Sequence, residues 1–123
     1  MTESIVPAEA SAIEHTEPSR FDQLAKKILF ALLRNLRRGK LTIIDGSVRR
    51  MFGEKSKKFP LEATIAVHHP RFFSSIVLGG SIGASESFMA GHWSTDDLTT
   101  VVRIIILNRE VLERMEKGLA WLT

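Results

Sequence analysis

Apolar positions begin to repeat at Phe21, and their spacing sets out most of the elements of the chain. Phe21, Leu24, Ala25, Ile28, Leu29, Leu32, Leu33 and Leu36 recur at three- and four-residue intervals, which places them on one face of an α-helix. Ser19 offers a cap before this helix and Gly39 a stop after it. Beyond Gly39 the period shortens. Leu41 to Ile44 and Val48 to Phe52 flank Asp45-Gly46-Ser47, and Asp-Gly favours the positive-φ turn of a β-hairpin. After the polar loop Gly53 to Lys58, a third strand is expected over Leu61 to Val67, with Leu61, Ala63, Ile65 and Val67 alternating onto one face. His68 and His69 end it. Pro70 then opens a helix over 70–78, where Phe72, Phe73, Ile76, Val77 and Leu78 make a broad apolar surface.

The stretch from Gly79 to Leu98 holds too many glycines for a generic helix and too many apolar residues for a solvent loop. It predicts a short helix from Ser81 to Ala90, a stop at Gly91, and Trp93 as a large apolar contact beside that stop. Ser94 and Thr95 are expected to cap a last helix, with Asp96 and Asp97 as its first-turn carboxylates. That helix is expected to run from Asp96 to Lys117 and stop near Gly118. Leu98, Val101, Val102, Ile105, Val111, Leu112 and Met115 form its stripe, and Ile104, Ile106 and Leu107 widen it. So wide a face must be covered on more than one side, by a second domain, a dimer partner or a bound lipid. Together the elements predict an α+β fold, a small, mainly antiparallel sheet of three or more strands packed against helices.

With 123 residues, 44% of them hydrophobic, the chain supports one domain with a modest core, expected over residues 20–123. Residues 1–19 are polar and acidic with Pro7 and Pro18, and are expected to form a disordered leader without a function of their own. They lack the basic and apolar regions of a secretory signal. Cysteine is absent, which removes disulfides and Cys-based zinc sites and suits a cytoplasmic protein. No apolar run approaches the roughly 20 residues of a transmembrane helix.

The net charge of +3 conceals a segregation that changes the picture. Residues 1–19 carry four glutamates and no cation. Residues 20–58 carry twelve Lys and Arg against three carboxylates, and residues 59–123 five against seven. An anionic partner should therefore meet the basic middle. Lys26, Lys27, Arg37, Arg38, Lys40, Arg49 and Arg50 are the candidates for such a surface, either as an ordinary solvated face or as contacts to anionic phospholipid headgroups. Nucleic acid is a poorer fit, because stacking or groove reading needs aromatics presented with the charge, and Phe21 and Phe30 fall with the core face.

Few residues offer chemistry. Glu86 is placed in an apolar, glycine-lined helix, where a carboxylate serves as a general acid or base or accepts backbone hydrogen bonds. No second acid, nucleophile or ligand set accompanies it, which favours the structural role. His68, His69 and His92 have no regular metal spacing, so no metal site is expected.

Gly80, Gly83, Glu86, Ser87, Phe88, Met89, Gly91, Trp93, Thr95, Asp97 and Leu98 follow the pattern G-x-x-G-x-x-E-[AS]-[YF]-M-x-G-x-W-x-[ST]-x-D-L. In this the chain resembles the N-terminal region of cyclopropane-fatty-acyl-phospholipid synthases and their mycolic-acid relatives. Gly39-Lys40-Leu41, Asp45-Gly46 and Phe52-Gly53 extend the resemblance, which spans residues 21 to 120. It implies a sterol-carrier-like domain that binds or presents phospholipid acyl chains, peripheral to the inner membrane face. Gly80, Gly83, Glu86, Gly91, Trp93 and Asp97 would be its structural motif. Phe72, Phe73, Ile76, Phe88, Met89 and Trp93 are the candidate acyl contacts, or else plain core. Family members use S-adenosylmethionine in a Rossmann-like domain with an E-x-G-x-G-x-G run, which this chain does not contain. The resemblance thus implies a non-catalytic domain with no cofactor of its own, partnered by a methyltransferase domain in the same or a separate chain. A structural or dimerisation module is the alternative, and a nucleic-acid-binding domain the third.

Overall fold

The computed structural model describes residues 19–111 and 113. Helix α1 spans Arg20–Leu33 and opens on a reciprocal cap. Ser19 Oγ accepts from Asp22 N at 3.0 Å, and the Asp22 carboxylate accepts from Ser19 N at 3.2 Å. Ala25, Leu29 and Phe30 face the core, while Phe21 and Leu24 at the first turns are exposed, against the sequence expectation for that stripe. The helix ends at Leu33 instead of continuing through Leu36, because the N–H groups of Arg37 and Arg38 are both taken by the side chain of Asn108. The proposed acidic leader falls outside the described residues apart from its last residue, Ser19.

Strands β1 (Gly39–Asp45) and β2 (Val48–Glu54) form the expected hairpin, with Asp45 opposite Val48. Strand β3 (Glu62–Val67) follows, then helix α2 (Arg71–Met89), strand β4 (Trp93–Thr95) and helix α3 (Leu98–Leu107). The fold is α+β. Its four-stranded sheet has the order β2-β1-β3-β4, antiparallel at both outer pairings and parallel at the central one, where Leu41 lies beside Ala63 and Ile43 beside Ile65. Alternation puts Leu41, Ile43, Phe52, Ala63, Ile65 and Trp93 on the face that meets the helices. Phe30 of α1 joins α2 to the sheet, its ring centroid 5.3 Å from Phe52 and 5.8 Å from Phe73.

Two terminal details differ from the sequence reading. Ser94 and Thr95 are strand residues, paired with Ala66 and Ile65, and Asp97 is the cap of α3. Asp97 accepts from Thr100 N at 3.1 Å and from Thr100 Oγ1 at 2.7 Å, while Asp96 accepts from Thr64 N at 2.9 Å and ties the cap to the sheet. Helix α3 is interrupted at Asn108, and helical geometry resumes at residues 109–111 and at 113; the expected end at Lys117 lies outside the described residues. Leu112, Met115 and the expected stop near Gly118 lie outside the described residues.

Candidate functional site

Helix α2 is two helical segments joined at Gly80, whose φ of 58° and ψ of −137° no residue with a side chain adopts without strain. In a straight helix residues eight apart lie about 12 Å apart along the axis. Here a Cβ on Gly83 would be driven into the Ser75 carbonyl oxygen, so the second segment folds back on the first. Trp93 fixes the corner from the sheet side. Its Nε1 donates to Ala84 O at 3.0 Å, and its ring lies 4.8 Å from Phe88 and 6.0 Å from Phe72. Gly91, with φ 81°, turns the chain out of the helix into β4.

This corner leaves α2 and α3 apart above the sheet, with an open groove of 610 Å³ between them. Leu41, Ile43 and Ile65 floor it. Leu29, Leu33 and the second segment of α2 form one wall, and Val101, Val102, Ile105 and Ile106 the other. The lining is almost wholly apolar, broken by Ser81, Ser85 and Asn108. At the rim, Met89, Leu98, Val102, Ile105 and Ile106 are exposed, a concentration of water-facing apolar surface of the kind that marks binding sites.

Of the six candidate acyl contacts, Phe72, Ile76, Phe88, Met89 and Trp93 line this groove. Phe72 and Trp93 are buried in its wall, and Met89 is 77% exposed at its rim. Phe73 does not belong with them. It is fully core and borders a different cleft, of 460 Å³, with Phe30 and the basic residues Lys26, Lys27 and Arg50.

The seven candidate headgroup residues do not form one face. Lys26 Nζ holds Asp45 at 2.6 Å, Arg38 Nη1 holds Glu110 at 3.1 Å, and Lys40 lies 3.8 Å from Glu62. Arg38 also donates to Leu107 O at 3.0 Å, so it secures the end of α3. Lys27, Arg37, Arg49 and Arg50 have no carboxylate partner among the described residues. Successive strand residues point to opposite faces, which sends Arg50 toward the helices and Arg49 to the far side of the sheet.

Glu86 is exposed, which corrects its expected burial, since its turn of α2 buries Gly83 and Ser87 instead. Ser87 Oγ and His92 Nδ1 are buried atoms without a hydrogen-bond partner among the described residues. The His92 ring stacks on His69 at 4.7 Å, and desolvation, then the nearby His69 and Arg71, lower its pKa from the ordinary 6.5. His68 is separate, its Nε2 lying 2.7 Å from Ser94 Oγ. No cluster of three His, Cys, Asp or Glu suited to a metal ion occurs among the described residues. Nor is any helix there long and apolar enough to cross a membrane.

Asn108 is the residue that the sequence reading passed over. It is 2% exposed, and its amide accepts from Arg37 N and Arg38 N and donates to Arg38 O and Ile104 O. A lone polar residue four positions after Ile104 on an otherwise apolar stripe was the available signal.

The chain matches no family model, no curated protein and no solved structure.

Proposed function

We propose that this chain is a non-catalytic lipid-binding domain, sterol-carrier-like in role, that takes a phospholipid acyl chain into the groove between α2 and α3. The observation that carries this reading is the 610 Å³ apolar groove lined by Phe72, Ile76, Phe88, Met89 and Trp93. Its volume lies within the roughly 300–1,000 Å³ of small-molecule sites. Burying about ten methylenes there is worth about 8 kcal/mol before association and ordering costs are subtracted, which makes apolar burial the main driving force for an alkyl chain in this groove. The resemblance to the N-terminal region of cyclopropane-fatty-acyl-phospholipid synthases supplies the partner. In this reading the domain works peripherally at an anionic membrane and presents the chain to an S-adenosylmethionine-dependent methyltransferase domain, which adds a methylene across a cis double bond. The residues of this chain bind and orient, and the chemistry and cofactor belong to that partner.

Co-sedimentation with liposomes tests the docking step. Binding to anionic vesicles that weakens with salt supports it, and absence of binding to anionic and zwitterionic vesicles alike contradicts it. A second reading, a homodimer sealed by the same groove, is favoured by the exposure of Val102 and Ile106 on α3. It predicts a concentration-dependent dimer with no detectable lipid binding.

A further inference from the structure

We propose a second site: the 460 Å³ cleft between α1 and the β2 edge binds a phosphate group, with Arg50 as its principal donor. The Arg50 guanidinium carbon sits 4.9 Å from the Phe30 ring centre and 5.9 Å from that of Phe52. Two rings thus hold a planar five-donor fork in place, and no carboxylate occupies it among the described residues. Among the described residues, the one basic strand residue that points toward the helices is therefore oriented and unspent. Lys26, beside it, gives one proton to Asp45 at 2.6 Å and keeps two for a ligand, while its Nζ lies 5.5 Å from the Phe73 ring centre. Lys27 stands exposed at the rim.

Two carboxylates also line the cleft and oppose an anion. Asp45 is neutralised by Lys26, and Asp22 is committed to the Ser19 N–H in the cap of α1. Three cations against two carboxylates leave the cleft at +1, with the excess on Arg50 and Lys27. A guanidinium fork matches the paired oxygens of a phosphate better than it matches a single acceptor. Phe30, Phe73 and Pro70 supply an apolar wall beside it, which suits a phosphate carried on a small organic group. The ligand class is therefore a phosphate mono- or diester, drawn either from a lipid headgroup or from solution. This site stands on its own residues and does not require the acyl groove.

The test is titration of the full chain, followed by NMR, with three probes that carry no acyl chain: glycerophosphoglycerol, glycerol 3-phosphate and inorganic phosphate. Millimolar or tighter binding is expected, with shifts centred on Arg50 and Lys27. Arg50→Gln should weaken it about tenfold, the loss of one charge-assisted contact. Arg49→Gln, one residue along but on the opposite sheet face, should leave it unchanged. Preference for the diester identifies a headgroup, and equal binding of inorganic phosphate identifies a soluble source; both sustain the site. No binding of any probe, or equal loss in Arg49→Gln and Arg50→Gln, overturns it. Because the probes lack alkyl chains, that failure leaves the groove reading intact.

Discussion

Arg38 and Asn108 exchange hydrogen bonds across the end of the domain: Asn108 Oδ1 accepts from Arg38 N at 3.1 Å, and Asn108 Nδ2 donates to Arg38 O at 2.8 Å. The same amide takes Arg37 N and returns a proton to Ile104 O. One side chain therefore stops α1, breaks α3 and sets the distance between them at that end of the groove. Asn108→Ala should lower unfolding stability by about 3–5 kcal/mol, since buried backbone groups lose their partners at about 1–3 kcal/mol each. Asn108→Asp keeps the acceptor but turns a carboxylate oxygen toward the Arg38 and Ile104 carbonyls in a buried site, so in chemical denaturation at neutral pH it should be no more stable than Asn108→Ala. Equal stability of all three proteins would contradict this role.

The α2 corner separates two glycines that look alike in sequence. Gly79 has open space where a Cβ would go, whereas at Gly83 a Cβ meets the Ser75 carbonyl oxygen. Gly79→Ala should be neutral or slightly stabilising, and Gly83→Ala should cost about 1–3 kcal/mol as an overpacked contact. Thermal melts of the two variants decide it, and similar melting points would be the wrong result.

His92 makes stability depend on pH. Its folded pKa is lowered by desolvation, with His69 and Arg71 adding to the effect, so the folded state disfavours its protonation relative to the unfolded chain. Stability from this source is present above 6.5 and is lost as pH falls through the lowered folded value. Midpoints of urea unfolding should hold steady above pH 6.5 and decline below it, and His92→Gln should flatten that decline. An unaltered profile in the variant would exclude His92 as the cause.

Glu86, exposed on α2, should tolerate change. Glu86→Gln is expected to alter stability by no more than about 0.5 kcal/mol, as for a solvated surface position. A loss above about 2 kcal/mol would restore the buried-carboxylate reading.

Much of this fold was legible in the sequence because its signals are local. The Asp45-Gly46 turn, the alternation of Ala63 and Ile65, and the Ser19 cap each depend on neighbouring residues, and each appears where the pattern placed it. What the pattern missed is set by distant partners. The parallel pairing of β1 with β3 and the third-dimensional reach of Asn108 to Arg37 leave no periodic trace. Strand β4 is only Trp93–Thr95, too short to alternate, so Thr95 read as a cap. The groove was half visible. Its α2 wall followed from Phe72, Ile76 and Phe88, and the over-wide stripe of α3 corresponds to the exposed Val102, Ile105 and Ile106 on its other wall. Phe73 could not be told from Phe72, because only the packing of α1 decides which ring faces which cavity.

The most direct test of the account is whether an alkyl chain enters the groove. Isotope-filtered NMR of the chain with a detergent-dispersed oleoyl phospholipid should show nuclear Overhauser contacts from acyl methylenes to the methyl groups of Ile76, Met89 and Ile105, which line it. Ser85→Trp, placing an indole in the groove from a position exposed to solvent, should abolish those contacts while leaving the protein folded. Contacts confined to Leu78 and Ile82, which are exposed on α2 outside the groove, or contacts undiminished in Ser85→Trp, would contradict the proposed function.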